Sequence, residues 1–234
     1  MKCYLLSFGL LAAVCCSVLA QPASENELYK QLVTKGPESV KALESVLKAP
    51  EERSALILYG SAGVAFREKR LEDGGFLFYA AQLRARFDKE CFTAKGKGGD
   101  SPFLLYAALS QTLGSELNPA IMAEPKAFGK AIERVKAWNP KASQNYNPGY
   151  EFTERKTEQD AQEAAKPNRT KFLSRMSDLS ALLNDAEYFD LFRVVQSFNL
   201  AADDKRPTQE AYDKAVEGMT KIEKDKGLKG FFAK

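Results

Sequence analysis

The chain has 234 residues, with 34 lysines and arginines against 31 aspartates and glutamates, and it contains no histidine. A formal net charge of +3, without a basic stripe that alternates with aromatic residues, does not match a nucleic-acid binder. The absence of histidine excludes serine or cysteine nucleophiles that histidine activates, and it excludes every zinc site that needs imidazole.

The N-terminal residues have the pattern of a cleavable export signal. A positively charged start is followed by a short apolar run from Tyr4 to Val14 and then by small residues up to Ala20. The run is shorter than the ~20 residues that a membrane-spanning helix needs, and no later segment reaches that length without charges. We therefore predict a signal peptide over residues 1–20 and no transmembrane segment after it. The alternative is a lipid anchor on Cys15 or Cys16.

Cysteine use indicates the compartment. Three of the four cysteines lie in the predicted signal, so only Cys91 remains and no intrachain disulfide can form after cleavage. Small eukaryotic secreted domains are often rich in disulfides. We therefore expect an exported protein, periplasmic or secreted, and the pattern favours a bacterial envelope. Cys91 itself is interpreted as a structural residue; the alternative is a reactive thiol whose pKa is lowered by Lys89 and Lys95.

Apolar residues recur at helical spacing through the rest of the chain, and no stretch alternates like a strand. Four such faces carry the pattern: Phe76, Ala80, Leu83 and Phe87; Phe128, Ile132, Val135 and Trp138; Phe172, Met176, Leu179 and Leu183; Tyr212, Val216, Met219 and Ile222. Prolines fall between the periodic segments, as in Asn118-Pro119 and Lys166-Pro167, where proline begins or ends a helix. The sequence thus predicts an all-α fold of about eight helices without disulfides.

Domain organisation is predicted from charge and length. Residues 21–234 are long enough for a single helical domain. The segment 151–167 mixes charges of both signs and has few apolar residues, which is typical of an exposed helix or a linker. The alternative is therefore two lobes, residues 21–150 and 168–234, joined by that segment.

One pair of predicted helices has a repeat-like pattern. It runs from Ser54 to Glu68 and from Gly74 to Lys89 around a short corner, and small residues such as Ala62 and Ala65 leave room for aromatic residues of the second helix. This pattern resembles the helical hairpins of tetratricopeptide and Sel1-like repeats. Within about residues 54–138, the segments Phe76 to Arg84 and Ala131 to Trp138 are also similar to exported bacterial helical proteins. The resemblance implies a helical-hairpin fold and an envelope location, and it implies no residue-level function.

The stretch from Asn139 to Phe152 is predicted to be a long irregular loop. It contains two prolines, three asparagines and three aromatic residues: Tyr146, Tyr150 and Phe152. Long loops in compact domains often carry function, and exposed tyrosines are common contact residues in interfaces. We therefore predict these three aromatic residues as partner-binding residues. The alternative is that the rings fold back and cover the core.

Two groups of carboxylates are candidates for acid and base catalysis. They are Glu151, Glu154 and Glu158, and Asp185, Glu187 and Asp190. On a helix, spacings of three and four place carboxylates on one face, and two carboxylates suffice for glycoside hydrolysis. The competing interpretation of both groups is a solvated, charged helix face.

Two functional hypotheses follow. The first is an exported, non-catalytic module that binds another protein, with no cofactor and no metal; a specific version is an immunity or adaptor protein that acts against an exported bacterial toxin. The alternative is a carboxylate-dependent hydrolase that acts on envelope glycans.

Overall fold

A computed structural model describes residues 24–228, and the predicted signal peptide lies outside this range. Within it the fold is all-α, as predicted, and no helix is long and apolar enough to cross a membrane. The nine helices of the described range are α1 (Glu25–Val33), α2 (Pro37–Lys48), α3 (Ala55–Arg67), α4 (Leu71–Cys91), α5 (Pro102–Met122), α6 (Pro125–Ala137), α7 (Glu158–Leu183), α8 (Ala186–Leu200) and α9 (Gln209–Asp225).

The starts of the helices are fixed by local sequence. Five helices begin after a residue whose side-chain oxygen accepts a hydrogen bond from a backbone N–H of the first turn, which satisfies a donor that the helix cannot satisfy itself. These capping residues are Ser24, Ser54, Thr157, Asp185 and Thr208. Helices α2, α5 and α6 instead begin with proline, whose fixed φ suits the first helical position.

Two prolines do not end helices, contrary to the prediction. Pro119 lies inside α5 and Pro167 lies inside α7. Pro119 is close to the end of its helix, and its carbonyl accepts a hydrogen bond of 2.8 Å from Nε2 of the Gln196 side chain. Pro167 is on an exposed side of α7, so water can reach the carbonyl that loses its helical partner.

Helix α4 is the centre of the fold. It packs against α3, α5, α6 and α7. Its residues 74–81 are all buried, because small and large apolar residues surround this part of its axis, whereas Arg86 and Lys89 are exposed. The close approach of α5 and α6 depends on Gly75, where a Cβ would overlap Cδ1 of Ile121 and lie 3.1 Å from Cβ of Ala131. The core around α4 is continuous with the packing of α7, α8 and α9.

The predicted helix faces point into this core. All sixteen positions of the four faces are buried or packed against buried residues. The first face is a special case, because residues 74–81 of α4 are buried on every side of the helix. The 3.6-residue period located the side chains of this face correctly but did not show that this part of the helix is enclosed.

The repeat-like hairpin corresponds to α3 and α4, which form the most extensive contact between helices within residues 24–228. The corner is shorter than predicted, since α4 begins at Leu71. Gly74 approaches the carbonyl of Ala62, and a Cβ on Gly74 would lie 3.6 Å from that oxygen. Gly60 instead faces α1, where the nearest atoms belong to Leu32 and Tyr29. The family resemblance remains a prediction.

A short antiparallel pair of strands corrects the expectation that the chain has none. Strand β1 (Phe92–Ala94) follows α4 directly and pairs with β2 (Phe152–Arg155), with Phe92 opposite Arg155. Three or four residues are too few to show a period of two in the sequence. The charged segment 151–167 thus contains β2 and the first part of α7, which packs along α4 and α6.

The packing around Gly75 gives a direct test of the central position of α4. We expect Gly75→Ala to lower the free energy of unfolding by about 1–3 kcal/mol, because the added methyl group overfills the contact with Ile121 and Ala131. Gly63→Ala is the matched control on α3, where the nearest atom to a new Cβ is Nη1 of Arg67 at 3.9 Å. This change should raise the free energy of unfolding by roughly 0.5 kcal/mol, since alanine favours a helix more than glycine does. Urea unfolding measures both, and equal effects would contradict the packing.

Candidate functional site

The irregular segment between α6 and β2 is held on α4 by a buried arginine. Arg84 has no exposed surface, and its Nη2 donates hydrogen bonds to the backbone carbonyls of Glu51 at 2.5 Å and Lys141 at 2.7 Å. The amide of Lys141 donates to the same Glu51 carbonyl at 2.8 Å. One guanidinium therefore joins α4 to the turn after α2 and to the segment that follows α6.

Asp88 and Tyr146 complete this buried arrangement. Nη1 of Arg84 lies 3.5 Å from Oδ1 of Asp88, one helical turn away, and the Arg84 guanidinium lies 4.2 Å from the centre of the Tyr146 ring. The Tyr146 hydroxyl donates a hydrogen bond of 2.8 Å to Oδ2 of Asp88. Burial raises the pKa of Asp88 to about 7, although Arg84 and the Tyr146 hydrogen bond act in the opposite direction.

The three predicted partner-binding residues lie in different environments. Tyr146 is only 7% exposed, so its ring offers little surface to a partner in this conformation. Tyr150 is half-buried against Phe103, with ring centres 5.7 Å apart. Phe152 is 40% exposed and packs one side of its ring on Phe92 at 4.8 Å. Their role in binding remains a prediction, and Phe152 presents the most surface of the three.

The first carboxylate group does not share a helix face, contrary to the prediction. Glu151 precedes β2 and pairs with Lys95 at 2.8 Å, whereas Glu154 lies within the strand. Glu158 is the first residue of α7 and accepts a hydrogen bond of 2.8 Å from the amide of Ala142. The three side chains therefore bind separate neighbours around the strand pair.

The second carboxylate group surrounds the start of α8. Asp185 caps that helix through the amide of Tyr188 and forms an ion pair of 3.0 Å with Lys226. The hydrogen bond from Tyr188, and then the one from Lys226, lower the pKa of Asp185. Glu187 and Asp190 lie on the exposed side of α8. The capping bond and the ion pair assign Asp185 a structural role.

Cys91 is buried at the end of α4, and its thiol donates to the carbonyl of Lys156 at 3.6 Å. Burial raises the pKa of this thiol, which is the opposite of the shift that a reactive thiolate needs. The interpretation of Cys91 as a structural residue fits this environment. Within residues 24–228 no three cysteine, aspartate or glutamate side chains are grouped so that they could hold a metal ion.

The described chain also has a cleft between α4 and α7, which we call the α4–α7 cleft. Its deeper part has a volume of about 210 Å³ and a shallower continuation of about 370 Å³ runs along α7. Both parts are lined by Arg86. Apolar side chains form the floor and walls of the deeper part: Leu83, Phe87, Pro140 and Ala165.

Positive charge is concentrated along this cleft. Its two parts are lined by five positive side chains and one carboxylate, an excess of four positive charges in a chain whose total is +3. The positive residues are Arg86, Lys166, Arg169, Lys171 and Arg175, and the carboxylate is Glu163. A cleft lined by one sign of charge attracts ligands of the opposite sign.

Two of these arginines are positioned by contacts with the protein. Nη2 of Arg169 donates to carbonyls at the end of α6, including those of Lys136 at 3.0 Å and Trp138 at 2.6 Å. The Arg86 guanidinium lies 4.9 Å from the centre of the Phe172 ring. Desolvation lowers the pKa of both arginines.

Sequence reasoning missed this cleft because α4 and α7 are far apart in the chain. A partial signal exists, since on α7 Lys166 and Arg169 are three residues apart and Lys171 and Arg175 are four apart. The segment 151–167 also contains several carboxylates, and this mixture of charges led us to interpret the segment as a solvated face. A comparison with protein-family models, with curated proteins and with solved structures finds no match to this chain.

The buried position of Asp88 predicts a pH dependence of stability. Its pKa is raised on folding from 3.8 to about 7, so between these values the folded state holds a proton that the unfolded state has lost. The stability that this proton contributes is complete below about pH 4 and is lost as the pH rises toward 7. We expect the free energy of unfolding to fall relative to that of Asp88→Asn by up to about 1.4 kcal/mol per pH unit between pH 5 and 7.

Urea unfolding at pH 5, 6 and 7 measures this difference. The matched control is Asp204→Asn, which removes an exposed carboxylate from the turn after α8 and should leave the pH dependence of wild type unchanged. Parallel curves for wild type and Asp88→Asn would contradict the burial of an ionisable carboxylate at this position.

Proposed function

We propose that this chain is an exported, non-catalytic module that binds another protein, and that the α4–α7 cleft is part of its contact surface. The observation that carries the proposal is the excess of positive charge on a cleft that is formed by α4, α7 and the segment that Arg84 anchors. Rigid walls reduce the entropy that a surface loses on binding, and opposite charges raise association rates. The partner is therefore expected to present an acidic surface.

Several features support binding in preference to glycan hydrolysis. Asp185 is engaged by Tyr188 and Lys226, and Glu158 by the amide of Ala142. Hydrolysis of a glycosidic bond needs two carboxylates that converge on the scissile bond, whereas the α4–α7 cleft is lined by Glu163 alone among acidic residues. A cleft that is mainly cationic suits the recognition of anions.

The support for export comes from the N-terminal pattern described above. An immunity or adaptor protein that neutralises an exported bacterial toxin is the specific version of this proposal, since such a protein needs export and tight binding but no catalytic groups. Under this version, the partner is a toxin whose acidic surface covers the cleft.

The proposal predicts that partner capture depends on the charge of the cleft. We expect the wild-type protein to retain a stoichiometric protein partner from the envelope fraction of its own cells. Lys166→Glu/Lys171→Glu should reduce the retained amount at least tenfold, because it replaces attraction by repulsion at two exposed positions of α7. Affinity capture followed by mass spectrometry and sizing measures both quantities.

The matched control is Lys214→Glu/Lys221→Glu on α9, which changes the net charge equally and also breaks one exposed ion pair within a helix. Equal losses in the two variants would show that total charge, and not the cleft, matters. Absence of any stoichiometric partner would contradict the binding function. The N-terminal residue of the purified protein tests export, because cleavage predicts Gln21 and an intact Met1 would contradict it.

A further inference from the structure

The deeper part of the α4–α7 cleft has the size of a single large side chain. Its volume is about 210 Å³, and an apolar cavity of about 150 Å³ is sufficient to bind benzene. Leu83 and Phe87 of α4 provide an apolar floor, and Pro140 and Ala165 add to the apolar lining. A phenyl or large aliphatic group therefore fits, and it would gain free energy by leaving water.

The rim of the same cleft carries three positive side chains and the carboxylate of Glu163, which pairs with Lys166 at 3.6 Å. The Arg86 guanidinium contacts an aromatic ring, and the Arg169 guanidinium contacts backbone carbonyls that carry only partial charges. Nη1 of Arg169 is buried and has no hydrogen-bond partner within residues 24–228. A partly desolvated cation without a counter-charge is unfavourable, and an anion beside it removes that cost.

We infer that the deeper cleft binds the C-terminal residue of a partner protein, with an apolar last side chain on the floor and the α-carboxylate at Arg86 and Arg169. The inference rests on the proposed function only in taking the ligand to be a protein.

Geometry favours a chain end over an internal acidic residue. In an extended peptide, neighbouring side chains point to opposite faces, so an internal aspartate and the apolar residue beside it would diverge. At a C-terminus, the carboxylate and the last side chain leave the same Cα atom. Both groups can then enter one compact cleft whose apolar and cationic parts adjoin. Lys166 also lies at this rim, where it is paired with Glu163, so the carboxylate is assigned to Arg86 and Arg169.

The experiment uses three small probes that separate the two requirements. N-acetylphenylalanine has both the ring and the free carboxylate, its amide lacks the charge, and N-acetylglycine lacks the ring. Titration of the full chain, followed by two-dimensional NMR of backbone amides, gives a dissociation constant for each probe. We expect the first to bind at least tenfold more tightly than the other two, with the largest shifts at the amides of residues 83, 139, 165 and 169.

Two pairs of variants locate the binding site. Ala165→Leu should fill the apolar part and weaken binding at least tenfold, whereas Ala164→Leu, at the exposed neighbouring position of α7, should leave it unchanged. Arg86→Gln should weaken binding of N-acetylphenylalanine at least fivefold. Arg193→Gln, which removes an exposed arginine of α8, should have no effect. All four sites are apart from the hydrogen bonds of Arg169, so the variants do not remove its anchoring contacts.

The outcomes distinguish this inference from the proposed function. Equal binding of the acid and its amide, equal binding of N-acetylglycine, or unchanged binding to Ala165→Leu would each overturn the inference. If the probe binds as expected but no protein partner is captured, the cleft is a site for apolar carboxylates and the protein-binding function fails. If a partner is captured through the cleft but the probe does not bind, only the inference fails.

Discussion

Arg84 of α4 is a buried positive charge, and the residues around it must replace the hydration that the guanidinium has lost. Compensation comes from three directions: the carboxylate of Asp88, the ring of Tyr146, and the carbonyls of Glu51 and Lys141. Removal of one partner from a buried charge is strongly unfavourable. The segment after α6 is therefore held against α4 although it has almost no regular structure. Because Asn139 and Pro140 precede Lys141 and line the α4–α7 cleft, the same guanidinium fixes one wall of the candidate site.

The helical part of the fold was predictable because its signals are local. Capping side chains such as Ser54 and Thr157, and initial prolines such as Pro102, act within one turn of the residues that they organise. The apolar period of α6 and α7 likewise needs only its own helix. The features that the sequence did not predict depend on tertiary contacts. Pro167 is tolerated inside α7 because its side of the helix is exposed, and β1 forms because β2 lies beside it.

The candidate site was only partly predictable for the same reason. The composition of the loop that contains Tyr146 predicted an irregular segment with exposed rings. It did not predict that contacts with Arg84 and Asp88 bury the Tyr146 ring. The cleft combines Arg86 of α4 with Arg169 of α7, and neither helix alone carries a recognisable motif. Single-sequence reasoning identifies which residues are unusual in a segment, whereas the sign of the charge on a shared surface depends on which helices meet.

The central claim is that the buried Arg84 holds the segment 139–156 and thereby builds the cleft. Hydrogen exchange of backbone amides in wild type and Arg84→Lys tests it most directly, since lysine keeps the charge but lacks the planar fork that reaches two carbonyls at once. The account predicts that amides of this segment, including Lys141 and Lys156, lose protection by at least tenfold, while those of α8 and α9 keep theirs. Unchanged protection of the segment, or an equal loss throughout the chain, would contradict it.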